Sequence, residues 1–148
     1  MNRLFKFLSL SVGDQCRLLL AGSLLFALPL VFSVGSFSRA RQKMIWISKR
    51  AVRIVPGTPT HIRVVSAVKL ADHHLPGSRK CLTRSSTAEV LLLLYGFAPE
   101  HRIGVAKEGD GEISAHSWLK LDDEVIIGEL DDHARFDPLP SLEATEAI

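Results

Sequence analysis

Cys81 opens the stretch "CLTRSSTAEVLLLLYG", where a cysteine stands at the start of a long apolar segment with helical spacing. The free N–H groups and partial positive charge of a helix N-terminus favour a thiolate and can hold the oxyanion that forms when it attacks a carbonyl. Lys80 and Arg84 add positive potential if they point that way. A nucleophilic cysteine also needs a base that can later protonate the leaving amine, and a histidine does both. Of the six histidines, His73 and His74 end the preceding predicted helix, His61 starts it, and His101 and His133 stand at turns. Only His116 falls inside a predicted strand, between Ala115 and Ser117, whose small side chains leave room for a substrate. Trp118, two residues on, shares its face and is placed to wall a substrate groove.

A third group should accept a hydrogen bond from the far imidazole nitrogen. Asp122 lies six residues along the same strand, roughly 20 Å away, too far while the strand is straight. The returning strand must therefore supply it. A two-residue turn at Asp122–Asp123 sets His116 opposite Glu129, and a turn at Asp123–Glu124 sets it opposite Asp131. Glu129 is the favoured candidate. No Cys-x-x-Cys pair is present for zinc, and neither a metal nor a cofactor is expected.

The elements that must position these groups follow from pattern. Thr60 caps a helix running to about His74, with Ile62, Val65, Val68 and Leu70 as apolar positions, and "LPG" at 75–77 ends it. The Cys81 helix is apolar nearly all round, which predicts a central, buried helix stopped by Gly96. "HRIGVAK", "EISAHSWLKL" and "EVIIGE" read as three strands joined by tight turns at 108–111 and 122–123. In the middle strand Ile113, Ala115, Leu119 and Leu121 take one face, and Ser114, His116, Trp118 and Lys120 the other. A short helical turn is expected after Asp131, and residues 141–148 read as a flexible tail. The fold class is α+β.

The N-terminal third differs in character. Residues 1–53 carry nine Lys/Arg against one acid, whereas residues 54–148 carry nine against fifteen, so a net charge of only +2 hides two opposed halves. Such a basic segment suits nucleic acid, anionic lipid or an acidic protein, but no aromatic interleaving or nucleic-acid motif accompanies it, so nucleic acid is not expected as a partner. Residues 18–35 are uncharged and of about the minimum length for a membrane span. They read either as a short membrane helix or as a packed or peripheral helical hairpin kinked at Pro29, with Asp14 as a helix cap before them. "RARQKMIWISKRAVRI" (39–54) is basic and amphipathic, with Trp46 as an anchor, and Pro56, Gly57 and Pro59 mark a boundary. The expected organisation is a hydrophobic, basic helical region over 1–55, a core over 56–140 and the tail. Two distant cysteines make no disulfide framework, and Cys16 reads as packing, so a reducing, cytoplasmic setting with contact of residues 1–55 to a membrane surface fits.

"LPGSRKCLTRSSTAEVLLLLYGF", "RIGVAK" and "AHSWLKLDDEVIIGE" together resemble the B-proteins of lasso-peptide biosynthesis, transglutaminase-like cysteine peptidases that remove the leader from a precursor. The likeness covers about residues 60–137. It implies N-terminal helices followed by a papain-like core with the nucleophile helix packed on a small antiparallel sheet. It matches Cys81 to the nucleophile, His116 to the base and Trp118 to the aromatic of His-x-Trp. Two departures stand out: the usual Asp-Gly turn is Asp122–Asp123, and the usual acid position falls near Gly128–Glu129. Residues 1–55 lack a winged-helix pattern, so the resemblance implies a separate leader-recognition protein, besides the precursor leader peptide and an ATP-dependent macrolactam cyclase. Another acyl-transfer enzyme of this fold and a non-catalytic peptide-binding module are the alternatives.

Overall fold

The computed structural model describes residues 2–52, 54–55, 57–77, 80–129 and 135–139. Five helices come first: α1 (Arg3–Leu8), α2 (Val12–Val34), α3 (Phe37–Arg50), α4 (His61–His74) and α5 (Cys81–Leu94). A four-stranded antiparallel sheet follows, built from β1 (Glu100–Lys107), β2 (Ile113–Leu121), β3 (Glu124–Ile127) and β4 (Asp137–Pro138) in the order β3-β2-β1-β4.

Local chemistry explains the helix ends. Thr60 accepts a hydrogen bond from the Arg63 N–H and starts α4, as its side chain predicts. Lys80 is the N-cap of α5, and Gly96, at φ +87°, turns the chain out of it. The start of α2 differs from expectation. Ser11, not Asp14, is the cap: its hydroxyl accepts the Asp14 N–H at 3.2 Å and donates to the Asp14 carboxylate at 2.8 Å, so Asp14 sits in the first turn. α2 is one continuous helix through Pro29 rather than a hairpin.

α5 is the centre of the molecule. Ala88, Leu91 and Leu92 are fully buried, in one cluster with Ala21 and Leu25 of α2, Val64 and Val68 of α4, and Leu119 and Ile127 of the sheet. Each buried Val, Leu or Ile side chain contributes about 1.5–3 kcal/mol. The cluster runs on both sides of residues 55–59, with Val55 itself a member. Cys16 packs against its edge. Trp46 lies on the outside of α3, 57% exposed, with the Arg50 guanidinium 4.0 Å from its ring centre.

One polar chain crosses this apolar interior. Arg41 of α3 is paired with Glu89 of α5, Glu89 meets His101 Nδ1 of β1 at 2.7 Å, and His101 Nε2 meets the Ser117 hydroxyl of β2 at 2.7 Å. All four residues are buried to 3% exposure or less. His101 is therefore not a turn residue; it is the second residue of β1, wholly enclosed, with Phe37 edge-on to its ring. Burial pushes the Glu89 carboxyl up, but the hydrogen bond and charge of His101, then those of Arg41, outweigh it and hold Glu89 below the ordinary glutamate range.

β4 occupies 137–138; the helical turn expected after Asp131 falls mostly outside the described residues, and Arg135, just before β4, has 3-10 conformation. Phe136, 5% exposed, is drawn against Gly104 of β1, and the following residues pair with that otherwise open edge; the Leu139 N–H donates to the Ile103 carbonyl at 2.9 Å.

Glu89→Ala removes the buried carboxylate that pairs with Arg41 and His101, and is expected to cost about 3–5 kcal/mol in urea unfolding. Because the folded-state value of Glu89 lies below its unfolded value of about 4.3, the unfolded chain takes up the proton more readily. That stability is fully present above the unfolded value and is lost as pH falls through the depressed one. Glu89→Gln should flatten this acid limb in thermal melts taken across pH 3 to 6, a range set by about one to two units either side of that value.

Candidate active site

Cys81, Ser85 and Glu89 are spaced four apart on α5 and share its sheet-facing side. The Ser85 hydroxyl donates to the Ser117 carbonyl at 3.1 Å, and Glu89 holds His101, so two successive turns of α5 are fastened to β2 and β1. Cys81, one turn earlier, reaches past these fastenings into a cavity of about 460 Å³. Its walls come from four places: Lys69, Asp72 and His73 of α4; Cys81, Arg84 and Ser85 of α5; His116 of β2; and Ile127 with Gly128 and Glu129 at the end of β3.

The first turn of α5 leaves donors at the thiol. Lys80 provides no side-chain cap, and its carbonyl takes the N–H groups of Thr83 and Arg84. Among the described residues, the Cys81 and Leu82 N–H groups have no hydrogen-bond acceptor. Arg84 pairs with Asp72 at 3.8 Å, so its charge is partly spent across the cavity on α4.

His116 is 8% exposed and lies opposite Gly104 on β1. Its Nε2 is 2.6 Å from the Gly128 carbonyl oxygen. A carbonyl only accepts, so Nε2 carries a proton, and in the neutral ring Nδ1 is the basic nitrogen. His116 and Trp118 leave β2 on the side opposite Ser117 and Leu119, and the ring of Phe136 packs on His116 at 5.4 Å. His116 thus enters the cavity at the β3 edge, whereas Cys81 enters from the helix layer. Among the described residues no hydrogen bond joins the two.

The expected pairing of His116 with Glu129 is not observed. The turn is the two-residue one, with Asp122 and Asp123 both in the left-handed region (φ 51° and 65°), and Leu121 faces Glu124 as that turn requires. A β-bulge between Leu119 and Lys120 then shifts the register, so that Leu119 faces Ile127. Continuing that register carries Glu129 off the position opposite His116. Glu129 is exposed at the cavity wall, and the carbonyl one residue earlier takes the imidazole instead. Asp131 lies outside the described residues.

Trp118 is likewise corrected. It does not line the cavity; it is 4% exposed and stacked beneath His116, with ring centres 6.0 Å apart and planes 18° apart. Two glycines make room for the indole. A Cβ on Gly104 would lie 2.8 Å from the ring, and one on Gly128 would lie 2.8 Å from the Trp118 Cβ and 2.7 Å from the Ser117 carbonyl. The tryptophan therefore backs the histidine instead of walling the substrate groove.

Sequence reasoning missed the α4 contribution. His73 was read only as a helix end, yet it lines the cavity with Lys69 and Asp72, while Leu70, Ala71 and His74 turn to the other side of the same helix. Their spacing of three and four residues was the available signal. Among the described residues, no group of three His, Cys, Asp or Glu side chains is arranged to hold a metal ion.

A nucleophile-type residue at a helix N-terminus, a histidine on the neighbouring sheet and a shared cavity form an arrangement suited to acyl transfer. The family model of the transglutaminase-like superfamily matches residues 24–141. The chain belongs to the transglutaminase-like superfamily. That superfamily includes cysteine peptidases and acyl-transferases, and the α+β architecture seen here, helices on a small antiparallel sheet, is of its kind. The match begins within α2, so in this superfamily member part of the N-terminal helical region falls inside the family domain. No curated protein and no solved structure matches the chain.

Gly128→Ala should force a left-handed φ of 89° on an alanine and drive its Cβ into Ser117 and Trp118. The expected loss is about 1–3 kcal/mol in chemical denaturation. A His116 Nε2–H resonance protected from exchange is expected for the native protein, and in the variant it should broaden or vanish in imidazole-detected NMR.

Proposed function

We propose that the protein is a cysteine peptidase that removes the leader from a lasso-peptide precursor, with Cys81 as nucleophile and His116 as general base and acid. The observation that carries this reading is the single cavity of about 460 Å³ lined by both residues, with the thiol at the first position of a helix. The substrate class rests on the sequence likeness around Cys81 and His116. The finer identity is our inference within the superfamily.

In this mechanism the leader–core junction enters the cavity between α4 and the β3 end of the sheet. The Cys81 thiol gives its proton to His116 Nδ1, the thiolate attacks the carbonyl of the last leader residue, and the Cys81 and Leu82 N–H groups take the oxyanion. The tetrahedral intermediate collapses, the core's amine leaves with a proton from His116, and a thioester remains. Water then attacks the thioester, giving its proton to His116, and the leader departs as a free acid. Catalytic hydrogen bonds are often long before substrate binds, and here the proton crosses the cavity by way of substrate atoms or one water. The Gly128 carbonyl holds the ring tautomer, and Glu129 at the cavity wall adds negative potential to the imidazolium. A separate leader-recognition protein presents the precursor in the cytoplasm. The freed amine is then the natural substrate for an ATP-dependent macrolactam cyclase.

A non-catalytic peptide-binding module of the same fold is the rival reading, since Cys81 and His116 enter the cavity from different layers. Incubation of the chain and its leader-recognition partner with the precursor separates the two, with product masses as the readout. Cys81→Ala should abolish cleavage with unchanged thermal unfolding, and His116→Ala should reduce it at least about a thousandfold, beyond any loss of folded protein seen in its melt. Free leader acid marks hydrolysis, and leader joined to an added amine marks an acyl-transferase. Cleavage that survives Cys81→Ala rejects the nucleophile. Iodoacetamide that modifies Cys81 no faster than a free thiol, in a chain that cleaves nothing, supports the binding module.

Glu129→Gln distinguishes the two ways of orienting His116. With the carbonyl as the partner, kcat should fall by no more than about tenfold, because a neutral acceptor already fixes the ring. A loss near the ten-thousandfold effect of removing a triad carboxylate would restore Glu129 to that role.

A further inference from the structure

The outer side of the N-terminal helices takes no part in the cavity or the core. α1 buries no residue, and its Leu4, Phe5 and Leu8 are each 62% exposed. On α2 the buried stripe is Arg17, Ala21, Leu25 and Leu28, and a second apolar stripe recurs on the outside: Leu19, Phe26 and Leu30 are 60%, 69% and 60% exposed. The two helices are fastened together. The Gln15 side chain donates to the carbonyls of Phe7, Leu8 and Leu10 at 3.2, 3.3 and 3.1 Å and so fixes where α1 lies. Between α1, α2 and α4 runs a groove of about 1000 Å³ that includes Leu19 and Phe26, with Arg3 and Lys6 on its α1 side. The Lys and Arg side chains that line the groove are Arg3 and Lys6, and no Asp or Glu lines it among the described residues. Residues 1–53 hold nine Lys/Arg and one acid, and that acid, Asp14, is already paired with Arg17 and Arg63.

We infer that this face docks on an anionic lipid surface, with α1 and the outer stripe of α2 lying in the headgroup–acyl boundary and Arg3 and Lys6 on the phosphates. Exposed Leu and Phe beside Lys and Arg is the composition that interfacial helices use. α2 is long and apolar enough to cross a bilayer, with a mean hydropathy of 2.0, but its other stripe is packed on α4 and α5. Arg17, 4% exposed, is bonded there to the Tyr95 hydroxyl and Asp14. Spanning would strip Ala21 and Leu25 from the core and carry that arginine into hydrocarbon, so α2 lies on the membrane and does not cross it. A second copy is a poorer occupant, because a two-fold contact on this face gathers two sets of Arg3 and Lys6 into one interface, and none of its described lining residues is acidic. α4 separates this groove from the cavity of Cys81, so docking holds that cavity one helix away from the lipid.

Sedimentation of the full chain with vesicles tests the inference without reference to any enzymatic activity. The chain should pellet with phosphatidylcholine–phosphatidylglycerol vesicles, pellet poorly with phosphatidylcholine alone, and be released by salt or by an alkaline carbonate wash. Leu19→Glu with Phe26→Glu should lower the bound fraction at least about tenfold, since two apolar anchors are lost and like charge is added. Arg3→Glu with Lys6→Glu should abolish the preference for phosphatidylglycerol. These residues are outside the core, so thermal unfolding should be unchanged. If the double glutamate variant melts early, Phe26→Ser alone should still lower binding. The inference is overturned by failure to pellet with the anionic vesicles, as expected if an acidic soluble protein covers the face. It is equally overturned by pelleting that the variants do not alter, by retention after the carbonate wash, which marks a spanning α2, or by a lipid-free dimer that the double variant dissolves.

Discussion

The buried chain Arg41–Glu89–His101–Ser117 is the constraint on which the rest of the architecture depends. It ties α3, α5, β1 and β2 through four side chains that water does not reach. A buried ion pair returns little net stability, because the cost of dehydrating both charges nearly cancels their attraction. Its effect is on uniqueness. An apolar helix packed on an apolar sheet can slide or rotate at small cost, whereas a carboxylate with two required partners has one low-energy position. Glu89 therefore sets the rotation of α5, and Ser85, bonded to the Ser117 carbonyl, sets its height. Cys81 is two turns up the same face and inherits both settings.

The histidine is positioned by a different device. Trp118 lies under the His116 ring, and Gly104 and Gly128 leave the space that the indole fills. The bulge in the β2–β3 pair brings the Gly128 carbonyl to Nε2. Polar fastening on the helix side and close packing on the far side of the sheet thus converge on one cavity, and α4 closes it with charged side chains. The two devices share β2, whose alternating residues face them in turn: Ser117 toward the buried ion pair, His116 and Trp118 toward the packed glycines.

Much of this was legible in sequence because it depends on nearest neighbours. The Thr60 cap, the α5 start at Cys81, the Gly96 stop, the strands carrying "RIGVAK" and "AHSWLKL", and the Asp122–Asp123 turn follow from side-chain chemistry within a few residues. The same local signals mark Cys81 at a helix start and His116 within a strand. Residues whose meaning depends on a distant partner were misread or passed over. Glu89 within an apolar run resembles an ordinary solvent-facing acid, and His101, two residues after Pro99, looks like a turn residue. His73 resembles a helix end, and Trp118 looks as if it borders a groove.

By itself the sequence determined an α+β chain with a thiol at the mouth of a buried helix and an imidazole on a strand, because caps, turns and apolar periods are properties of the local chain. Only the tertiary structure decided which carbonyl holds the imidazole, which glutamate is buried and which side of α2 stays exposed. A one-residue bulge changes every pairing beyond it, and a buried charge is settled by partners 12 and 48 residues away, distances over which the order of residues carries no geometry.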